Sequence, residues 1–223
     1  MGLYSKYFAE FIGTFALTFF GASAIVANSF SGGALGVTGI ALAHGLTLMA
    51  LVFALGGISG AHVNPAVTLG VLLAKAIDIK TASLYWVSQF AGAIVAGFAV
   101  LKLMPTVAVL ATSAGSTLLA PGISPIRGTA IEAILTFFLV SAVLLTAVKK
   151  AVNPVFSGLT IGMTLTIAIL AAGPVTGASL NPARTLGPAI ASGALQNLWV
   201  FFLGPAIGAV LAFLVYKYIY DEK

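Results

Sequence analysis

Ser59-Gly60-Ala61-His62-Val63-Asn64-Pro65-Ala66 reads against Thr176-Gly177-Ala178-Ser179-Leu180-Asn181-Pro182-Ala183. The shared pattern is a hydroxyl residue, Gly, Ala, two variable positions, then Asn-Pro-Ala, with the two Asn 117 positions apart. Each copy opens an apolar run, Asn64–Lys75 or Asn181–Ser192, about half as long as a membrane crossing requires. Pro65 and Pro182 suit the first turn of a helix, and the Asn before each suits the N-cap. Two interrupted helices inside a membrane imply a pore, because irregular backbone at that depth is tolerated only where it lines a cavity or is buried in protein.

The surrounding composition is that of a membrane protein. Of the 223 residues, 60% are hydrophobic and 7% charged, and the mean hydropathy is +1.13. A soluble domain carries about 25% charged residues, so this chain has too few to cover a water-facing surface. The 25 glycines suit close helix packing in lipid. With no cysteine there is no disulfide or thiolate metal site. The net charge of +5 is scattered over loops and is not a nucleic-acid footprint. Met1 to Lys6 is too brief for a separate signal peptide.

Six full spans are predicted at roughly Tyr7–Asn28, Ala34–Leu55, Ser83–Leu103, Gly128–Val148, Pro154–Ala171 and Asn197–Tyr218, each near the ~20 residues that cross the hydrocarbon. Lys6, Lys75, Lys80, Lys149, Lys150, Lys217 and Lys223 fall on one side of this topology. Lys102, Arg127 and Arg184 fall toward the other. The positive-inside rule then predicts a multi-pass protein of the cell membrane with both termini cytoplasmic. The stretch Leu103–Arg127, rich in Pro, Gly and Ser, is expected to be an irregular external loop on the surface.

The duplication extends beyond the motif. Glu10-Phe11-Ile12-Gly13-Thr14-Phe15 matches Glu132-Ala133-Ile134-Leu135-Thr136-Phe137, and Gln89-Phe90-Ala91-Gly92-Ala93 loosely echoes Gly204-Pro205-Ala206-Ile207-Gly208-Ala209. Three spans per half is an odd number, so the second copy must be inverted. The predicted fold is therefore an all-α polytopic membrane protein, with six transmembrane helices plus two re-entrant half-helices in an inverted repeat. It forms one channel domain, 1–223, whose repeats at about 1–104 and 128–223 are joined by an external loop, 105–127. Such repeats place a site near the midplane, where half-helix N-termini offer free N–H groups and a partial positive charge. Glu10 and Glu132 are acids within spans; they are expected to accept hydrogen bonds from the N–H groups freed in the broken loops. His62 is expected to brace its loop.

Together the paired Asn-Pro-Ala motifs, the Arg in Asn181-Pro182-Ala183-Arg184 and the paired Glu-x-x-x-Thr-Phe resemble the aquaporins, the major intrinsic protein family, over essentially the whole chain. That resemblance implies a homotetramer with one pore per subunit, surrounded by membrane lipids, with no cofactor or metal and no enzymatic activity. It also implies a pore centre at Asn64, Pro65, Ala66, Asn181, Pro182 and Ala183. An outer constriction is reached by counting from the motifs: His44, Ile169, Ala178 and Arg184. The set looks more like plant tonoplast-type members than like water-selective or glycerol-selective ones, and His44 is expected to hydrogen-bond passing ammonia or urea. Glycerol facilitators carry Asp and a basic residue where this chain has Thr185 and Ala189, and Pro with an aliphatic residue where it has Phe201 and Phe202. The expected function is a passive channel for water, with ammonia, urea or other small neutral solutes, excluding protons and ions. The alternatives are a broad aquaglyceroporin, a secondary transporter, or a junction-forming membrane protein.

Overall fold

The computed structural model describes residues 4–149, 153 and 155–220. Lys150, Pro154, Lys223 and the outermost residues of the predicted domain lie outside the described residues. The helices are α1 Ser5–Phe30, α2 Gly36–Ser59, α3 Pro65–Leu73, α4 Ile79–Leu103, α5 Thr106–Ala111, α6 Pro125–Val143, α7 Val155–Thr176, α8 Pro182–Ser192 and α9 Val200–Val215. π-helical turns extend α6 through Val148 and α9 through Tyr220, and no strand occurs among the described residues. Six of these helices are long and apolar enough to cross a membrane: α1, α2, α4, α6 with its extension, α7 and α9. The two short ones, α3 and α8, have 9 and 11 residues. At 1.5 Å per residue neither covers the ~30 Å hydrocarbon.

Each half-helix begins where the sequence places it. Asn64 accepts from Ala66 N–H at 2.8 Å, and Asn181 accepts from Ala183 and Arg184 N–H at 3.0 and 3.2 Å. Both Pro residues sit in the first turn, where a missing N–H leaves no bond unmade. The predicted third span starts at Ser83, whereas α4 begins at Ile79. The reason is Asp78, which caps the helix by accepting from Thr81 N–H at 2.7 Å. That bond holds the Asp78 carboxyl below its usual range, with the nearby Lys6 ammonium a smaller contribution.

Small residues set the helix spacing. At the crossing of α2 and α7 a Cβ on Gly162 would stand 2.5 Å from the Gly45 carbonyl oxygen, and one on Gly45 would stand 2.6 Å from that of Gly162. A Cβ on Gly92 of α4 would overlap the Phe11 carbonyl of α1; one on Gly208 of α9 would overlap that of Ala133 in α6. The same device thus recurs in both halves, as expected where packing rather than a hydrophobic drive holds helices together.

The stretch 105–127 departs from the expectation of an irregular surface loop. It contains α5 and a 3-10 turn at Ser113–Gly115, and Ala108, Val109, Ala114 and Thr117 are buried. The apolar residues pack on Ala22, Val26 and Val100. Positive φ at Ser113, Ala114 and Gly115 (48°, 55° and 74°) then turns the chain inward, toward α8. Pro and Gly content marks a break in regular structure, but not the direction the chain takes after it.

Candidate functional site

The two motifs meet at their asparagines. Asn64 Nδ2 donates to the Leu180 carbonyl at 2.9 Å, and Asn181 Nδ2 donates to the Val63 carbonyl at 2.9 Å. Each side-chain oxygen is occupied by its own half-helix, so each amide group retains one N–H. Both asparagines line an internal cavity of about 30 Å³, with Leu17, Leu48, Val67 and Leu165 among its apolar walls. At the centre the asparagine amides offer donors, toward which a water in that position would turn its oxygen.

The loops leading into the motifs are strained in the same way. Ala61 and Val63 have φ of 48° and 43°; their counterparts Ala178 and Leu180 have 42° and 54°. For a β-branched residue such as Val63 this is a real outlier, costing roughly 1–3 kcal/mol. Buried carboxylates hold each loop. Glu10 accepts from Ser59 Oγ, His62 N, Val63 N and Gln89 Nε2 at 2.7, 2.9, 2.7 and 2.7 Å. Glu132 accepts from Thr176 Oγ1, Ser179 N and Leu180 N at 2.7, 3.0 and 2.8 Å. His62 packs edge-on to Tyr85, with Nδ1 3.1 Å from Thr68 Oγ1, and also lines the cavity.

Beyond the centre, Arg184 and His44 form a neck. The buried guanidinium donates from Nη1 to the Gly115 carbonyl at 2.9 Å. Nη2 and Nε approach His44 Nε2 at 3.2 and 3.4 Å. His44 Nδ1 lies 2.9 Å from the Ile40 carbonyl. A nitrogen facing a carbonyl must carry the proton, so Nε2 is the lone-pair side, and two guanidinium donors converge on it. Both ring nitrogens of His44, expected to bond a passing solute, have protein partners in this geometry. What the neck presents to a solute is the N–H capacity of Arg184 left over from its five donors. An outer vestibule of about 360 Å³ opens above, lined by His44, Ile40, Ile169, Leu118 and Ser116. Ile169 therefore reaches the vestibule, while Ala178 is buried in the loop, its N–H donating to Thr176 Oγ1 at 3.1 Å.

Of the remaining positions singled out in the sequence, Thr185 is buried, 2.7 Å from Thr117 Oγ1 and in close hydrogen-bond contact with Ser179. Ala189 and Phe201 are buried, and Phe202 stacks on Phe90 at a centroid distance of 6.0 Å.

The sequence profile described as "Major intrinsic protein" matches residues 1–216. The chain belongs to the major intrinsic protein family. Among similar proteins is "Glycerol uptake facilitator protein-like 6" of Lactiplantibacillus plantarum (strain ATCC BAA-793 / NCIMB 8826 / WCFS1), 43% identical over 209 residues, 93% of this chain and 94% of that one. Another is "Probable aquaporin TIP2-2" of Oryza sativa subsp. japonica, 42% identical over 221 residues, covering 96% and 86%. The X-ray structure of the aquaglyceroporin from Plasmodium falciparum superposes with a TM-score of 0.81 at 29% identity, covering 97% of this chain and 96% of that one. This major intrinsic protein is thus a multi-pass membrane channel and not an enzyme.

Several residues of the site in this major intrinsic protein were not assigned roles from sequence. Ser59 and Thr176, the hydroxyls that head the two signatures, bond Glu10 and Glu132; their matched positions were the available signal. Gly115 and Thr117, which touch Arg184 and Thr185, carry no pattern that distinguishes them from other loop residues.

Proposed function

We propose that the chain is a passive channel for water and for small neutral solutes, ammonia and urea among them, which excludes protons and ions. The observation that carries this reading is the set of buried donor groups, Arg184 and the two asparagine amides, that line one cavity. Water, ammonia and urea each offer a lone pair to such donors. Ammonium and hydronium bring charge toward a buried guanidinium and two half-helix N-termini, and ammonium has no lone pair to offer. Exclusion by an Arg and half-helix dipoles is the general rule for aquaporin-type pores and is applied here on that footing. Glu10 and Glu132 act as braces that hold the motif loops, with His62 packed beside the first. Homotetramer assembly in the cell membrane, with both termini cytoplasmic, completes the proposal; the lysine distribution supports the orientation.

A broad glycerol channel is the second reading. It is favoured by likeness to a glycerol uptake facilitator-like protein and to an aquaglyceroporin. Thr185 and Ala189, where facilitators carry charge, speak against it. Stopped-flow light scattering on proteoliposomes, comparing water, ammonia, urea and glycerol, tests both. Non-saturating water, ammonia and urea fluxes well above those of protein-free vesicles are expected. Saturable, proton-coupled flux would refute a channel of this kind, and glycerol as the fastest solute would install the second reading.

A further inference from the structure

We infer that Gly21 of α1 is a positioning residue for the neck, acting through His44. This rests on the proposal that the neck selects solutes. The His44 ring lies where a side chain at position 21 would begin. A Cβ there would overlap Nε2 and stand 2.5 Å from Cδ2 and 2.9 Å from Cε1. Nε2 is the atom on which Nη2 and Nε of Arg184 converge. The adjacent residue supports the other anchor of the same guanidinium. Gly115, whose carbonyl accepts from Nη1, packs on Ala22, and a Cβ on Gly115 would fall 2.6 Å from the Ala22 carbonyl oxygen. Two consecutive positions of one helix therefore seat both partners of Arg184.

The two glycines differ in what a substitution would displace. At Gly115 the obstacle is backbone and φ is +74°, so any side chain disturbs the loop itself. At Gly21 the obstacle is the free end of a side chain. Gly21 lies in the middle of α1, where alanine suits a helix better than glycine does. Gly21→Ala leaves α1 intact and pushes the ring aside. Nδ1 remains tied to Ile40 in its own helix, so the ring pivots and Nε2 is the atom that moves. Arg184 then keeps the Gly115 carbonyl and loses its second anchor, and the guanidinium is free to swing across the lumen. A bulkier solute such as urea suffers more from that than water does. Loss of one hydrogen bond to a charged group shifts a conformational balance by about tenfold.

The experiment uses the full chain in proteoliposomes at matched protein content, as wild type, Gly21→Ala, His44→Ala and the double variant. Stopped-flow water and urea permeabilities are measured for each. Gly21→Ala is expected to lower the urea-to-water ratio about tenfold, and the double variant to match His44→Ala alone, because a positioning residue has nothing left to position. Additive effects of the two substitutions, or an unchanged ratio together with an unmoved His44 signal in Gly21→Ala, would overturn the inference. Nitrogen NMR of histidine-labelled protein separates this outcome from failure of the proposed selectivity. The chain has two His, so His62 serves as an internal reference. A His44 Nε2 signal that moves in Gly21→Ala while the solute ratio does not would support the seat and refute the neck as the selective element. An unmoved His44 signal would refute the seat.

Discussion

Replacing Glu132 or Glu10 with Gln should destabilise the fold, because each carboxylate holds a motif loop through several N–H and O–H donors. A Gln must put an NH₂ group where one carboxylate oxygen was. In Glu132, Oε1 serves Thr176 Oγ1 and Ser179 N, while Oε2 serves only Leu180 N. The less damaging rotamer puts the NH₂ at Oε2. Leu180 N–H is then unpaired and faces a second donor. A buried unpaired donor costs about 1–3 kcal/mol, and the two surviving bonds lose their charge assistance, for a total of about 2–5 kcal/mol. In Glu10 the corresponding oxygen serves Val63 N and Gln89 Nε2. Rotating the Gln89 amide would let its oxygen accept from the new NH₂, but would put its own NH₂ in the buried place where Oε1 now has no partner. Unpaired donors are therefore left at this site too, and Glu10→Gln carries a loss of the same order as Glu132→Gln. The assay is survival of the monodisperse size-exclusion peak after a temperature series in detergent. At about 2–4 °C per kcal/mol, both variants should fall clearly below wild type. A Glu10→Gln or Glu132→Gln protein of wild-type stability would refute the bracing argument.

Three further outcomes are expected. His44→Phe removes the acceptor on which Arg184 converges and adds bulk to the neck, so urea and ammonia flux should fall several-fold more than water flux, since one lost hydrogen bond to a charged group is worth up to about tenfold; equal losses would show that His44 does not discriminate. Asn64→Asp replaces the lumenal amide donor with a carboxylate and breaks the bond to the Leu180 carbonyl, so decay of an imposed pH gradient in vesicles should quicken by about tenfold if about 1.4 kcal/mol of barrier is lost, while an unchanged decay would argue against a donor-based proton block. The cap at Asp78 should be complete above the ordinary carboxylate value of 3.8 and be lost only as pH falls below it, because the Thr81 N–H holds the folded carboxyl lower; hydrogen exchange at the start of α4 should therefore be flat from pH 5 to 8 once corrected for intrinsic rate, and Asp78→Ala should raise it throughout.

The centre of the site was legible because its residues announce themselves locally. Asn before Pro caps a helix wherever it occurs, and a duplicated copy in an apolar chain leaves few arrangements. Glu10 and Glu132 were legible through their matched Thr-Phe context. The inward path of 105–127 was not, because it depends on Gly115 meeting Ala22 and Thr117 meeting Thr185, residues far apart in sequence and ordinary in type. The pairing of His44 with Arg184 was not legible for a related reason. Counting from the motif places both residues near the neck, but only the geometry shows Arg184 converging on His44 Nε2.

The inverted repeat also accounts for the proposal that selection sits at one end of the pore. The positions of the neck have mates in the other half at the same distance from the motif: Ile161 for His44, Val52 for Ile169, Ala61 for Ala178 and Val67 for Arg184. Ile161, Ala61 and Val67 line the internal cavity with the asparagines. The two mouths therefore share one backbone design, with strained loops and carboxylate braces in both, but only one carries a guanidinium. Symmetry supplies the pair of half-helices that the donor centre needs, and two departures from it, at positions 44 and 184, supply the polar neck. With Val67 where the second half has Arg184, the other mouth would offer a solute no second guanidinium to leave, which would favour rapid exit over tight binding. Val67→Arg puts that reasoning to the test: a second guanidinium at that mouth should slow water severalfold without improving exclusion of protons, and a variant that conducts water as the wild type does would show that the asymmetry carries no kinetic consequence.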